Sequence, residues 1–187
     1  MRKCVFCESG EGTTDDHIPP RCFFGVPKPS NLITVPCCEK WREKDQANDR
    51  FMRNLFVSFA ETEPHRTVET QLAAKRDKSF YEDKKMVGRL LEMMKMEDVH
   101  DDNGRFLGRA PAFNLDTASV HRFIERVSRG AVFDAHGKTY FPARCEWRIN
   151  RTNAAGLVAL APPSLRQRHV GDIFHFLVSP APDDSWN

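Results

Sequence analysis

No apolar run in this 187-residue chain approaches the length of a membrane-spanning helix. The opening Met-Arg-Lys-Cys-Val-Phe-Cys-Glu lacks the apolar stretch of a signal peptide. The expectation is a cytoplasmic protein with no membrane partner. Internal repeats and low-complexity tracts are also missing, which sets aside repeat arrays and linker-like chains. Nor is there a marked basic excess: 28 Lys and Arg stand against 26 Asp and Glu, a net charge of +2. That balance does not announce a nucleic-acid binder, yet a few placed Arg and Lys suffice for phosphate contacts. The hydrophobic fraction of 40% and charged fraction of 29% are ordinary for a globular chain.

What is present is concentrated near the N-terminus. Four of the six cysteines stand at positions 4, 7, 37 and 38, with Cys22 between them and Cys145 far away. In a cytosolic chain such close spacing favours a metal over disulfides. The Cys4-xx-Cys7 knuckle lets two sulfurs grip one tetrahedral zinc. Cys37 and Cys38 are the candidates for the remaining pair, with Cys22 as a substitute. Where a second CxxC would close there is Trp41, which as a core aromatic would fill the space of the missing ligand.

The same stretch is rich in Pro and Asp and poor in periodic apolar patterns, so a metal staple is physically reasonable. Leu32–Val35 reads as a short strand. From Glu39 to about Phe59 there is no Pro or Gly, and Trp41, Phe51, Met52, Leu55 and Phe56 give a ragged apolar face, so a helix is expected. Residues 66–99 read as helical, with Val87, Leu90, Leu91 and Met94 in an i, i+3, i+4, i+7 stripe. The segment from His100 to Gly104 reads as a turn. Thr117 is the expected N-cap of a helix carrying Val120, Phe123, Ile124 and Val127, with Gly130 just past its end. Arg122, Arg126 and Arg129 fall near one face, read as solvated or as a phosphate-tracking stripe. Ala135–Gly137 reads as a turn. Residues 145–149, 157–160 and 173–178 are strand candidates. The expected class is α+β: a zinc-stapled module over residues 1–58 packed on a helical region with short antiparallel strands over 59–187.

Asp16-His17 is the chemical candidate. Hydrolysing a phosphodiester requires a base to activate water and a cation to stabilise the developing charge. An adjacent carboxylate and imidazole can supply both, with Asn31 placed to orient the imidazole. Taken alone, such a dipeptide would read as a turn cap beside a packed histidine. His65, His100, His121, His136 and His175 stand alone and read as surface or packing residues.

Cys4-xx-Cys7, Asp16-His17-Ile-Pro-Pro20, the segment from Pro29 to Pro36 and Cys38 together resemble the HNH endonucleases, also called His-Me finger or ββα-metal nucleases. Arg53-Asn54 continue the likeness along the helix. Residues 124–130 with Phe133 and Gly137, then 173–176 and 184–186, extend it loosely. The resemblance implies a ββα-metal fold with a structural zinc, and a Mg²⁺- or Mn²⁺-dependent nuclease acting on DNA, with RNA as the alternative substrate. It makes His17 the general base, Asp16 a metal ligand and Asn31 the positioning residue. The helix position where that family carries an Asn or His metal ligand is Arg42 here. Arginine has no lone pair for a cation. Three readings follow: Asp45, or else Asn48 or Asp49, completes the metal site; Arg42 contacts the scissile phosphate; or the module is catalytically degenerate and binds nucleic acid or a protein partner. A homodimer would match the two strands of a duplex.

Overall fold

The computed structural model describes residues 2–7, 10–58, 66–114, 116–137, 165–171 and 173–178. Strand β1 (Thr14–Ile18) pairs antiparallel with β2 (Ile33–Cys37), and α1 (Glu39–Val57) follows β2 after a single residue. β1 alternates, turning Asp16 and Ile18 inward and leaving Asp15 and His17 on the more open side. The register sets His17 opposite Thr34 and Asp16 opposite Val35. A widened helical turn at Val68–Leu72 leads into α2 (Ala73–Glu82), and α3 (Lys84–Met93) follows, capped by Asp83, whose side chain accepts from the Met86 N–H. The architecture is α+β, built from helices and three two-stranded antiparallel sheets among the described residues.

Two helical expectations need correction. Helix does not continue through 99: Met94–His100 is β3, paired antiparallel with β4 (Phe106–Phe113). The turn at 100–104 is the reason. Asp101 Oδ1 accepts the N–H groups of Asn103 and Arg105, and Gly104 takes a positive φ of 78°, so the chain reverses and pairs with itself. Cross-strand Asp98 and Arg109 form a 3.2 Å ion pair on this hairpin.

The second correction concerns α4, which runs Thr117–His136. Its N-cap is Asp116 rather than Thr117: the Asp116 carboxylate accepts from the Ser119 N–H. The C-terminal glycine is Gly137, in the left-handed region at φ 66°, not Gly130. Gly130 lies inside the helix for a packing reason. A Cβ there would stand 2.3 Å from Ile18 Cγ1, so only glycine lets α4 sit on β1.

The strand expected at 173–178 is present as β6 (Phe174–Val178), paired with β5 (Arg166–Val170). The candidates at 145–149 and 157–160, with Cys145, His65 and residues 184–186, lie outside the described residues. One cluster of buried side chains joins Cys4, Phe6, Ile18, Ile33 and Met52 to Met86, Leu90, Phe123, Val127 and Val170, so residues on both sides of position 58 share it. Phe23, Phe56, Phe123 and Phe174 interlock there, with the Phe23 ring 5.2 Å from Phe123 and 5.4 Å from Phe174.

Replacing an interior helical glycine with alanine ordinarily stabilises a helix by about 0.5–1 kcal/mol. At Gly130 the sign should reverse: Gly130→Ala is expected to cost about 1–3 kcal/mol through overpacking on Ile18. Urea unfolding of Gly130→Ala, Ile18→Ala and the double variant checks this. Partial recovery in the double variant is the expected signature of the contact.

Candidate functional site

The cysteines form a corner against the start of α1. The sulfurs of Cys4, Cys7 and Cys38 offer ligand atoms within 4.8 Å of one another, a group that could hold a metal ion such as zinc. The loop is shaped for it. The Cys4 N–H donates to the Gly10 carbonyl, the Phe6 N–H points to Cys4 Sγ at 3.4 Å, and Cys7 Sγ lies 3.7 Å from Cys38 Sγ. A Cβ on Gly10 would come within 2.7 Å of Cys7 Sγ, so the chain closes tightly over the sulfurs. Burial opposes ionisation of Cys4. The N–H groups of Phe6, Cys38 and Cys7 outweigh it and hold that thiol below its ordinary value. Burial, followed by the neighbouring sulfurs, pushes Cys7 up to about 11. A cation bound by all three thiolates would relieve that conflict.

Cys37, expected among the ligands, is not in the group. It is fully buried on β2, its thiol donates to the Cys38 carbonyl, and burial pushes its pKa up. Adjacent residues on a strand point to opposite faces, so Cys37 and Cys38 cannot both reach the corner. Cys22 is also elsewhere, its thiol 3.6 Å from the Asp49 carbonyl and pushed by burial up to about 12. Trp41 stacks on Phe6 with centroids 5.8 Å apart and the planes at 14°.

Beside this corner, β1, α1 and α4 converge on Arg126. Its guanidinium is 3% exposed and reaches Asp16 Oδ2 from both Nε, at 2.9 Å, and Nη2, at 2.5 Å. Nη1 reaches Asp49 Oδ1 at 2.5 Å. Asp45, 1% exposed, lies 3.9 Å from Arg126 and 2.8 Å from Arg122. Three buried carboxylates thus face two guanidinium groups. Burial pushes Asp49 up to about 6 against the pull of Arg126, with Asp16 and Asp45 adding to the rise. The same acids hold Arg126 firmly protonated despite its burial.

These contacts revise the sequence reading residue by residue. Arg126 belongs neither to a solvated face nor to a surface stripe. The signal available was its place between Phe123 and Gly130, three residues after one buried position and four before the next. Asp16 is buried with both oxygens engaged, Oδ1 accepting the His17 N–H at 2.9 Å and Oδ2 accepting from Arg126. Asp45 is drawn into the arginine cluster and does not line the cleft at His17; Asp49 does. Asn48 donates to the Ser119 carbonyl on α4. Asn31 does not orient the imidazole. Its amide donates to the His169 carbonyl at 2.7 Å and accepts from the Gly171 N–H, fastening the β5–β6 turn to the loop before β2.

His17 opens onto a cleft of about 490 Å³ walled by Asp16, Asp49, Arg21, Arg42, Arg50 and Arg126. Burial, then Arg21, lowers the His17 pKa from 6.5, against the opposing pull of Asp16 and Asp15, and so favours the neutral imidazole. Arg21 is placed by the short turn Arg21–Phe23, whose Phe23 is locked in the aromatic core. Arg42 pairs with Glu39 at 2.5 Å. Arg21 and Arg50 pair with no described carboxylate. The cleft therefore combines a neutral base with unspent positive charge, which suits an anionic substrate attacked by water.

The donor set does not fit a tightly held catalytic cation. Asp16 and Asp49, which would have to help hold one, are both engaged by the Arg126 guanidinium. Comparison with protein-family models, curated proteins and solved structures gives no match. No described helix is long and apolar enough to cross a membrane.

Elemental analysis of the purified chain should find one zinc. Cys4→Ser, Cys7→Ser or Cys38→Ser should abolish it and lower the melting temperature, whereas Cys37→Ala should retain the metal. Loss of zinc from Cys37→Ala together with retention in Cys38→Ser would reverse the assignment.

Proposed function

We propose that the chain is an HNH-type endonuclease that hydrolyses DNA phosphodiesters in the cleft at His17. The observation that carries the reading is the His17 imidazole on β1, at the mouth of a cleft whose Arg21 and Arg50 pair with no described carboxylate, in the order strand, antiparallel strand, helix. The Cys4, Cys7 and Cys38 corner beside the same strands supports it.

In this mechanism a phosphodiester lies in the cleft with its oxygens toward Arg21 and Arg50. His17 accepts a proton from water as the water oxygen attacks phosphorus. The bond from phosphorus to the leaving oxygen then breaks, and that oxygen takes a proton from solvent. Arginines placed before the reaction stabilise the charge that grows on the phosphoryl oxygens without reorganising. Because Arg126 already engages Asp16 and Asp49, no step here depends on a divalent cation.

The same guanidinium favours a second reading, a degenerate member of that fold that binds DNA or a protein partner without cutting. The two part on one assay. Supercoiled plasmid should be nicked by the wild-type chain, tested with Mg²⁺, Mn²⁺ and EDTA, and nicking should fall at least 100-fold in His17→Ala. The rate should decline on acidification with a midpoint below 6.5, because protonation removes the base and the pKa is lowered by burial. Binding without nicking under every metal condition would leave the second reading.

A further inference from the structure

A second groove opens on the other side of α1. It has a volume of about 530 Å³ and lies between α1, α2 and α3, with Arg50, Phe51, Asp83, Lys85 and Arg89 in its wall. Arg50 is common to this groove and the His17 cleft, so the two depressions meet at one exposed guanidinium.

The charges in the groove are not equivalent. Of its acids, Glu82 pairs with Lys78 at 3.7 Å, and Asp83 is held as the cap of α3 by the Met86 N–H. Arg89 is spent too. It pairs with Asp116, donates to Ser119 Oγ at 2.7 Å and lies 3.9 Å over the Phe51 ring. The side chains of Arg50 and Lys85 are exposed and make no ion pair or hydrogen bond with any described residue. Both sit on helices with packed inner faces. Phe51 and Met52 bury one side of α1, and Met86 and Leu90 one side of α3, so the two cations are held on a fixed surface.

An anionic site with one charge would need one of these cations. Two unpaired cations, one shared with a cleft built for a phosphodiester, describe a path for successive phosphates. We propose that the groove between α1 and α3 holds the DNA backbone flanking the scissile phosphate, with Arg50 at the junction and Lys85 contacting the next part of the strand. The proposal rests on the reading of the His17 cleft as the phosphodiester site. It adds the direction in which the strand leaves that site.

The test uses the full chain carrying His17→Ala, so that bound DNA stays intact, and a fluorescein-labelled 20-base-pair duplex read by anisotropy across a salt series. Arg50→Ala and Lys85→Ala are compared with Lys95→Ala, which removes the same charge from the exposed β3–β4 hairpin. Each groove variant should weaken binding about 3–10-fold and flatten the slope of log affinity against log salt by about 0.9, the change expected when one phosphate contact is lost. Lys95→Ala should leave that slope unchanged. Circular dichroism confirms that each variant is folded, and a folding defect alone would lower the active fraction without changing the slope.

If Lys85→Ala, which lies in the groove and not in the cleft, gives the slope of Lys95→Ala while the duplex still binds, the groove proposal is overturned and the nuclease reading stands. If nothing binds, both fall. If RNA of the same sequence binds more tightly than the duplex, DNA is overturned as the occupant. Plasmid nicking by the chain with His17 intact reads the cleft separately, so the two failures are distinguishable.

Discussion

The ion pairs of Arg126 are the constraint from which the rest of the site follows. This side chain comes from α4, near position 126, and meets Asp16 on β1 and Asp49 on α1, more than seventy residues earlier in the chain. A buried charge without a partner is among the costliest arrangements in a protein, and removing one member of such a set typically costs about 3–5 kcal/mol. Three elements are therefore tied to one geometry. Gly130, one turn further along α4, makes the approach sterically feasible by leaving room for Ile18. Burial pushes Asp49 up, with Asp16 and Asp45 adding to the rise, while Asp49 and Asp16 keep Arg126 charged.

His17, next to Asp16 in that cluster, takes its character from other neighbours. Asp16 would by itself raise the imidazole pKa, as would Asp15, but burial and the Arg21 charge dominate. The outcome is a base rather than a cation at neutral pH. Phe6 links this centre to the cysteine corner. One side of it stacks on Trp41, and the Arg126 guanidinium carbon lies 5.9 Å from its ring centre. Stacked and cationic contacts of this kind contribute about 0.5–1.5 kcal/mol each. Trp41 on α1 thus closes the side of the cysteine corner by packing on Phe6.

Much of the local structure was readable from the residues. The Cys4-xx-Cys7 knuckle, the strand at 33–35, the helix from Glu39 and the strand at 174–178 each carry a local signal in turn chemistry or periodicity. What misled was signal that local patterns do not contain. The stripe ending at Met94 continues the helical period by one residue into a strand, and only the pairing with β4 reveals it. Gly130 looks like a helix terminator because glycine usually serves there, but its role is set by Ile18 across the core. Cys37 and Cys38 look equivalent in sequence, and strand alternation separates them. Asp16, Asp45 and Arg126 could be assigned to one cluster only after β1, α1 and α4 were assembled. Asn31 is close to His17 in motif order, yet hydrogen-bonds to His169 on β5, 138 residues away in sequence.

The proposed reaction requires a neutral His17 that faces the phosphodiester. The most direct measurement is NMR titration of its imidazole, assigned through His17→Ala, in the free protein and with a non-hydrolysable phosphorothioate duplex. The account predicts a midpoint below 6.5 in the free protein and a change in the His17 resonances when the duplex is added. A midpoint at or above 6.5, with resonances unmoved by DNA, would contradict it.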